Sequence, residues 1–323
     1  MAITQTSRIL TLDYWKFASD ITVGDIVFDR KGNPVRVKVV QNYRAPRCFE
    51  VSFIDGLTIA GDDHLILPLE DEKYRNRARE YQGKYKFRRP TKDTKLADLY
   101  NLPLYGRENR KIYSVPTGMP IQLPHQTLPV PPFVFGFWFF NRKANDIMHA
   151  IPGTADLVYE KFIAAGYAVI EKHKHRNGAN YFTTHPTVLS HLVPLVPTSI
   201  PNNYLLGSIE QREELLSGIL HSKYKNIDPK RTHHRFSSFQ KRIASQVQML
   251  AESLGYKTKM DQHPQDGYYR VLIYGKDRPH AKFRKEWRLV TEIREITPQS
   301  CVHIETDGED GSILVGEGFI PCL

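Results

Sequence analysis

The chain has 323 residues, 41% hydrophobic and 25% charged, which excludes a disordered or fibrous polypeptide and leaves room for two domains. Its formal net charge of +10, from 45 Lys+Arg against 35 Asp+Glu, favours a polyanionic partner, because each phosphate neutralised releases condensed counterions. No apolar run approaches the ~20 residues of a membrane helix, and Cys48, Cys301 and Cys322 are too scattered for a disulfide framework or a CxxC zinc site. The expectation is a reducing, intracellular setting with no membrane partner and no secretion signal.

From Trp15 to about Leu67 the sequence alternates with period two. Asp25-Ile26-Val27-Phe28 and Val35-Arg36-Val37-Lys38-Val39-Val40 flank a Gly32-Asn33 turn, and Phe49 to Phe53 and Leu57 to Ile59 flank Asp55-Gly56. This predicts a meander of half-buried antiparallel strands. Between Lys73 and Lys95 there are ten Lys/Arg against two acidic residues, with Tyr74, Tyr81, Tyr85 and Phe87 interleaved. Cations for phosphates and rings for sugars or bases make this a nucleic-acid surface, with Lys84, Lys86, Arg88 and Arg89 as contacts; a solvated linker fits the same composition. Prolines at 116, 120, 124, 129, 131 and 132 then predict an extended crossing to a second domain.

Beyond the crossing the periodicity becomes helical. Pro132 opens a first helix through Phe133, Phe135, Gly136, Phe137, Trp138 and Phe140. Ser208-Ile209-Glu210-Gln211 is a capping box for a second, with Leu215, Leu216, Ile219 and Leu220 inward. A third is expected to open at Ser237-Ser238-Phe239-Gln240, with Phe239, Ile243, Val247, Leu250 and Leu254 on one face and Gly255 ending it. Tyr268 to Tyr274 reads as a strand, and from Arg288 period two returns. Residues 125–284 are therefore an α+β domain whose halves repeat a helix-led unit. Residues 1–124 (the basic linker from about 70) and 285–323 belong to the β domain on either side.

These patterns carry a family resemblance. Ala2 to Thr11 with Asp20 to Phe28, and Ile313 to Leu323, resemble the N- and C-terminal splicing blocks of an intein. Phe133 to Arg142 and Tyr204 to Tyr224 resemble the two helical motifs of an intein-borne LAGLIDADG homing endonuclease. Arg235-Phe236-Ser237, Lys241 to Ala244 and Ser253 to Gly255 resemble that family's second repeat. The resemblance implies an all-β, horseshoe-like Hint splicing domain interrupted by an α+β endonuclease domain of two pseudo-symmetric halves. It further implies self-excision from a host protein with ligation of its flanks (the exteins), recognition of double-stranded DNA, a monomeric state, and a location in the cytoplasm with the host.

Gly136 and Gly218 lack side chains, so two helix backbones can approach and their ends meet at one point. In the family those ends carry one acid each and together hold Mg²⁺. Five residues past each glycine this chain has Asn141 and Lys223: a neutral oxygen, and a cation where a cation should bind. Arg142 and Tyr224 replace the small residue that follows, and His221, at a helix end, reads as packing or surface. Strand cleavage is not expected. DNA binding can persist, since phosphate contacts are distributed over Lys225, Arg235, Lys241, Arg242, Lys257, Lys259 and Arg270.

Splicing needs no cofactor. A first-residue thiol or hydroxyl attacks the preceding carbonyl, a histidine protonates the departing amide nitrogen, and a terminal Asn later cyclises. Position matching puts Ala2 at the nucleophile and His64, beside Asp63, at the second-block histidine. Gly61 stands where the family usually has Thr. His303 aligns with a helper on the penultimate strand, or is a solvent-facing strand residue. Where the pattern continues to a histidine and an asparagine, this sequence reads Cys322-Leu323. The expectation is a splicing scaffold without splicing atoms; the alternative is a free-standing DNA-binding or regulatory protein derived from such an element.

Overall fold

The computed structural model describes residues 1–71, 92–109, 111–141, 147–150, 155–167, 169–174, 180–184, 199–222, 233–274 and 287–323. The chain divides into two compact units: a β unit of Met1–Gln122, Gly255–Lys259 and Pro279–Leu323, and an α+β unit of Leu123–Leu254 and Met260–Arg278.

Both sheets of the β unit mix strands from the two ends of the sequence. The larger runs Ile26–Phe28, Pro34–Arg44, Ser300–Thr306, Ala2–Thr4, Thr58–Asp62, Cys48–Phe53, Trp287–Ile296, Tyr113–Pro116, Ile66–Asp71, Lys92–Lys95. A smaller sheet joins Ile320–Cys322 and Ile313–Val315 to Arg8–Leu10 and Trp15–Phe17. The period-two pattern dictates which faces are covered: Val35 and Val37 turn inward while Pro34, Arg36 and Lys38 face out. Ile3, Ile9, Val27, Phe49, Val51, Val302 and Ile313 fill the core.

The proline-rich crossing is partly built into this unit. Tyr113–Pro116 is a sheet strand, paired with Trp287 to Leu289 and with Glu70 and Asp71. Met119 and Gln122 then donate to the carbonyls of Arg30 and Gly32. Gly32, at φ +81°, must be glycine: a Cβ there would lie 2.1 Å from the Pro120 carbonyl oxygen. Residues 92–100 form a sheet strand and a short helix with Leu96 and Leu99 buried, so this end of the basic segment is core-forming.

The α+β unit repeats one motif twice. Helix Pro132–Asn141, strand Ile147–Ala150, helix Ala155–Ala164 and strands Val169–Lys174 and Asn180–Thr184 are followed in the same order by Ile209–Leu220, His233–Ser238, Lys241–Ser253, Lys257–Gln262 and Tyr269–Tyr274. Each half folds its three strands in the order first, third, second. Lys257–Gln262 is hydrogen-bonded into the second of these sheets and is described with it.

The helices Pro132–Asn141 and Ile209–Leu220 cross at their glycines. A Cβ on Gly218 would stand 2.2 Å from the Phe133 carbonyl oxygen, and one on Gly136 would stand 2.6 Å from that of Leu215. Backbone therefore touches backbone, as the sequence predicts. The capping box is present: Ser208 accepts from the Gln211 amide while the Gln211 side chain accepts from the Ser208 amide. Arg212, fully buried, clasps the second and third helices by donating to the Gly207 carbonyl at 2.8 Å and to Ser253 O and Oγ at 2.9 and 2.7 Å.

The third helix departs from expectation at its start. It begins at Lys241, and Ser237 and Ser238 end the preceding strand. Ser238 Oγ accepts from the Gln240 amide, and Gln240 supplies no side-chain cap. Phe239 consequently sits in a strand-to-helix turn, 76% exposed, while Ile243, Val247, Leu250 and Leu254 are buried as expected.

Candidate functional site

Ala2 lies in a strand held between two others, opposite His303 on one side, with its neighbour Ile3 opposite Gly61 on the other. It is buried. A Cβ on Gly61 would fall 2.6 Å from the Ala2 carbonyl oxygen and 2.5 Å from Leu65 Cδ2, so threonine has no room there and the glycine has a steric cause.

The next residue, Asp62, is buried and shapes the turn that presents Asp63 and His64. Its Oδ1 accepts from the amides of His64 and Leu65, each at 3.0 Å, and its Oδ2 accepts from Tyr43 Oη at 2.5 Å. Burial, then the Asp62 carboxylate, raises the Tyr43 hydroxyl far above its ordinary value. The His64 ring itself faces solvent, with Nε2 3.6 Å from Asp63 Oδ1.

The imidazole at the start of the chain is that of His303. Its Nδ1 is 3.5 Å from the Met1 nitrogen, one residue ahead of Ala2, and its Nε2 is 2.9 Å from Glu305 Oε1. That contact holds the Glu305 carboxyl below its usual range. The closing strand is also placed here, since Leu323 and Ile66 exchange backbone hydrogen bonds at 3.0 and 3.1 Å. Cys322 is completely buried, its Sγ 3.4 Å from the Ile320 carbonyl oxygen, and burial pushes its thiol far up.

Three residues of this framework went unread in the sequence. Arg288 and Asp55 form a fully buried ion pair, and Arg288 also donates to the Gly318 carbonyl at 2.9 Å. The pair thereby ties the Asp55-Gly56 turn to the loop before the last strand. Tyr43, on a strand otherwise exposed at that end, gives no periodic signal for its bond to Asp62. An acid paired with an Arg 233 positions away, or a Tyr aimed at a turn acid, leaves no local spacing to detect.

In the α+β unit Asn141 is fully buried at the end of its helix. His221 caps the partner helix, with Nδ1 2.8 Å from the Ser217 carbonyl oxygen and its ring 5.9 Å from Phe133, which is a packing role. Lys223 and Lys225 lie outside the described residues, as do Lys84, Lys86, Arg88 and Arg89. Among the described residues no group of three or more His, Cys, Asp or Glu is arranged for a metal. Asn141 offers only a neutral amide oxygen, a weak donor for a hard dication.

The second three-stranded sheet brings several predicted contacts together. The Lys241–Ser253 helix packs on the face carrying Phe236, Val271 and Ile273. On the opposite face Arg235 stands opposite Leu272 and Ser237 opposite Arg270. In the adjoining strand Thr258 is buried, so Lys257, Lys259 and Asp261 alternate onto the face of Arg270. Arg270 is held by Asp261 through two bonds of 2.7 and 2.8 Å, which keeps its guanidinium flat on the sheet. Lys241 and Arg242 are exposed on the helix instead and do not join this face.

A β domain completed by both ends of the chain and interrupted by a two-fold repeated α+β domain with glycine-crossed helices is the arrangement that the resemblance to a large intein with a LAGLIDADG-type domain implies. No family model matches the chain. It is 26% identical over 254 residues to a replicative DNA helicase DnaB of Mycobacterium intracellulare, a match covering 75% of this chain and 40% of the helicase. Among solved structures it resembles the MchDnaB-1 intein, at 28% identity and a TM-score of 0.20 over 21% of this chain and 53% of that one. It also resembles I-DmoI in complex with DNA and Mn, at 10% identity and a TM-score of 0.33 over 45% and 89%. No helix among the described residues is long and apolar enough to cross a membrane.

Proposed function

We propose that the β unit is a protein-splicing domain whose acyl transfer stops at Ala2, and that the α+β unit binds double-stranded DNA without cutting it. The observation that carries the first part is the seat of Ala2, buried in a strand between Gly61 and His303 with an imidazole at the preceding nitrogen. In the active chemistry a thiol at this position attacks the carbonyl carbon of residue 1. A thioester forms, and the released backbone nitrogen takes up a proton. A methyl group has no lone pair to donate, so Ala2 leaves the rest of the site without its nucleophile.

That nitrogen belongs to residue 2, and its proton comes from His303, opposite Ala2 in the adjoining strand, or from His64, in the turn that Asp62 holds. The match to a stretch of a helicase supports residence inside a longer host polypeptide, whose flanks are the exteins and whose cytoplasm is the setting. The second part rests on the cationic sheet face, together with Asn141 and Lys223 at the positions of the acids.

The test is Ala2→Cys behind an N-terminal flanking segment, assayed for cleavage at residue 2 by added thiol or hydroxylamine. A flank released only with Cys at position 2 supports the reading, and the His303→Ala and His64→Ala backgrounds assign the imidazole. No release from the restored chain favours the free-standing DNA-binding descendant. A second assay asks whether a monomer of the full chain binds duplex DNA with salt-dependent affinity yet leaves plasmid intact in Mg²⁺ or Mn²⁺; strand breaks would refute the inactive-nuclease reading.

A further inference from the structure

Phe239 reads in the sequence as a core residue and stands in the structure 76% exposed. A single exposed phenylalanine needs no explanation, but this one is part of an assembly. Its ring meets Tyr268 edge-on, centroids 6.2 Å apart at 83°. Tyr268 stacks on His263 at 4.8 Å and 12°. Arg235 reaches the same tyrosine, with Cζ 5.7 Å from the ring centroid and Nη2 donating to Oη at 2.5 Å. The Asp266 carboxylate, 3.2 Å from His263 Nδ1, fixes the far side of the stack.

The three rings come from three places in the sequence and meet at one end of one sheet. Phe239 follows the His233–Ser238 strand, His263 follows Lys257–Gln262, and Tyr268 precedes Tyr269–Tyr274. Arg235 belongs to the face that also carries Arg270, Lys257 and Lys259, so the aromatic cluster continues the cationic surface at its edge. A cationic face with an apolar, pre-arranged border matches what duplex DNA offers, phosphates along the backbone and sugars, base edges and thymine methyls between them. Rings already held by neighbours lose little freedom on contact.

We propose that Phe239, with Tyr268 and His263 behind it, is a groove-contacting edge of a duplex-DNA surface whose phosphate contacts are the sheet cations. This rests on the DNA-binding reading above and adds to it a part that is apolar and independent of salt. Charge selects the occupant: among the described residues Arg235, Lys257, Lys259 and Arg270 stand on that face against Asp261, with Asp266 at its edge, in a chain of net charge +10.

The experiment uses the full chain and a random-sequence duplex in fluorescence anisotropy over a salt series. Phe239→Ala is expected to raise Kd about tenfold at every salt concentration, the scale of one lost groove contact. The slope of log K against log salt should stay unchanged, because no counterion is involved, whereas Lys259→Ala should reduce that slope by about one. Phe239→Leu should recover part of the loss. Folding of the variant is checked by circular dichroism, and the exposed ring leaves the core intact. Parent-like affinity in Phe239→Ala overturns this inference alone, as does a changed slope, which means the substitution acts by displacing Arg235. Absence of salt-dependent duplex binding by the parent chain overturns the DNA reading and this inference with it.

Discussion

In the α+β unit, Gly218 lets the Phe133 carbonyl oxygen come within 2.2 Å of where a Cβ would sit; in the β unit, Gly61 does the same for the Ala2 carbonyl oxygen at 2.6 Å. Around the first contact the neighbours are carbon: Phe133, Phe137, Leu215 and Ile219 are all buried. Around the second, buried Leu65 packs beside Asp62, Tyr43 and His303, and each of these last three is hydrogen-bonded. Carbon surroundings hold two helices at a fixed distance whatever chemistry their ends carry. Polar surroundings hold a turn and a strand against each other through directed bonds, and there a change of side chain alters chemistry and geometry together.

The largest expected effect tests the polar side. Arg288→Ala leaves Asp55 buried without its partner and frees the Gly318 loop, which should cost about 3–5 kcal/mol in a urea titration. Arg288→Met with Asp55→Leu should recover most of that, because removing both charges abolishes the burial penalty. A mild single variant would mean that the pair is solvated and that the β unit is held mainly by its core.

On the apolar side, Gly218→Ala should cost about 3 kcal/mol by forcing the helices apart, and Gly136→Ala somewhat less, in keeping with the longer approach. Trp138, on the first helix and flanking the crossing, reports the change by fluorescence. Equal and small losses for the two would show that the crossing slides freely.

High pH tests the buried thiols of the β unit. Burial holds the Cys301 thiol up at about 12, with nearby Cys48 adding to it, and raises Tyr43 as well. Above pH 9 the unfolded chain sheds thiol protons that the native state retains. The native state then binds more protons, so stability falls as pH climbs from about 9 toward 12. Cys301→Ala should flatten that decline, read as Tm against pH, and an unchanged slope would assign it to the tyrosines. A smaller loss, about 1.5 kcal/mol, is expected for Tyr43→Phe, reduced by solvent because Tyr43 is 37% exposed.

What the sequence shows of all this follows the same division. The repeated helix-led halves, the glycine crossing and the capping box at Ser208 are set by local spacing, and each is where the periodicity puts it. The β meander is legible for the same reason, since alternation survives in strands with one covered face. Contacts between distant segments leave no such trace. Asp62 with Tyr43, Asp55 with Arg288 and His303 with the Met1 nitrogen are made by strand register across 19, 233 and 302 residues. Phe239 misleads for a related reason: it falls at helical spacing from Ile243, yet the Ser238 hydroxyl bonds the Gln240 amide and delays the helix until Lys241.

That delay makes the two helices of the second half start differently, and the smallest prediction uses it. The Ile209–Leu220 helix begins with a reciprocal cap, in which Ser208 and Gln211 satisfy each other's amides, and Gln211 Nε2 also donates to the Gln126 carbonyl at 2.7 Å. The Lys241–Ser253 helix begins at Gln240 with no side-chain cap. Ser208→Ala should therefore cost about 1 kcal/mol, whereas Gln240→Ala should change stability by only a few tenths. Gln211→Ala should exceed both, since it removes the cap's second half and exposes the Gln126 carbonyl to an unpaired state. If Ser208→Ala and Gln240→Ala prove equal in a denaturant titration followed through Trp138, helix starts contribute nothing that distinguishes these two helices. The second half's helices would then be joined chiefly by Arg212, whose bonds to Gly207 and Ser253 tie them together from within.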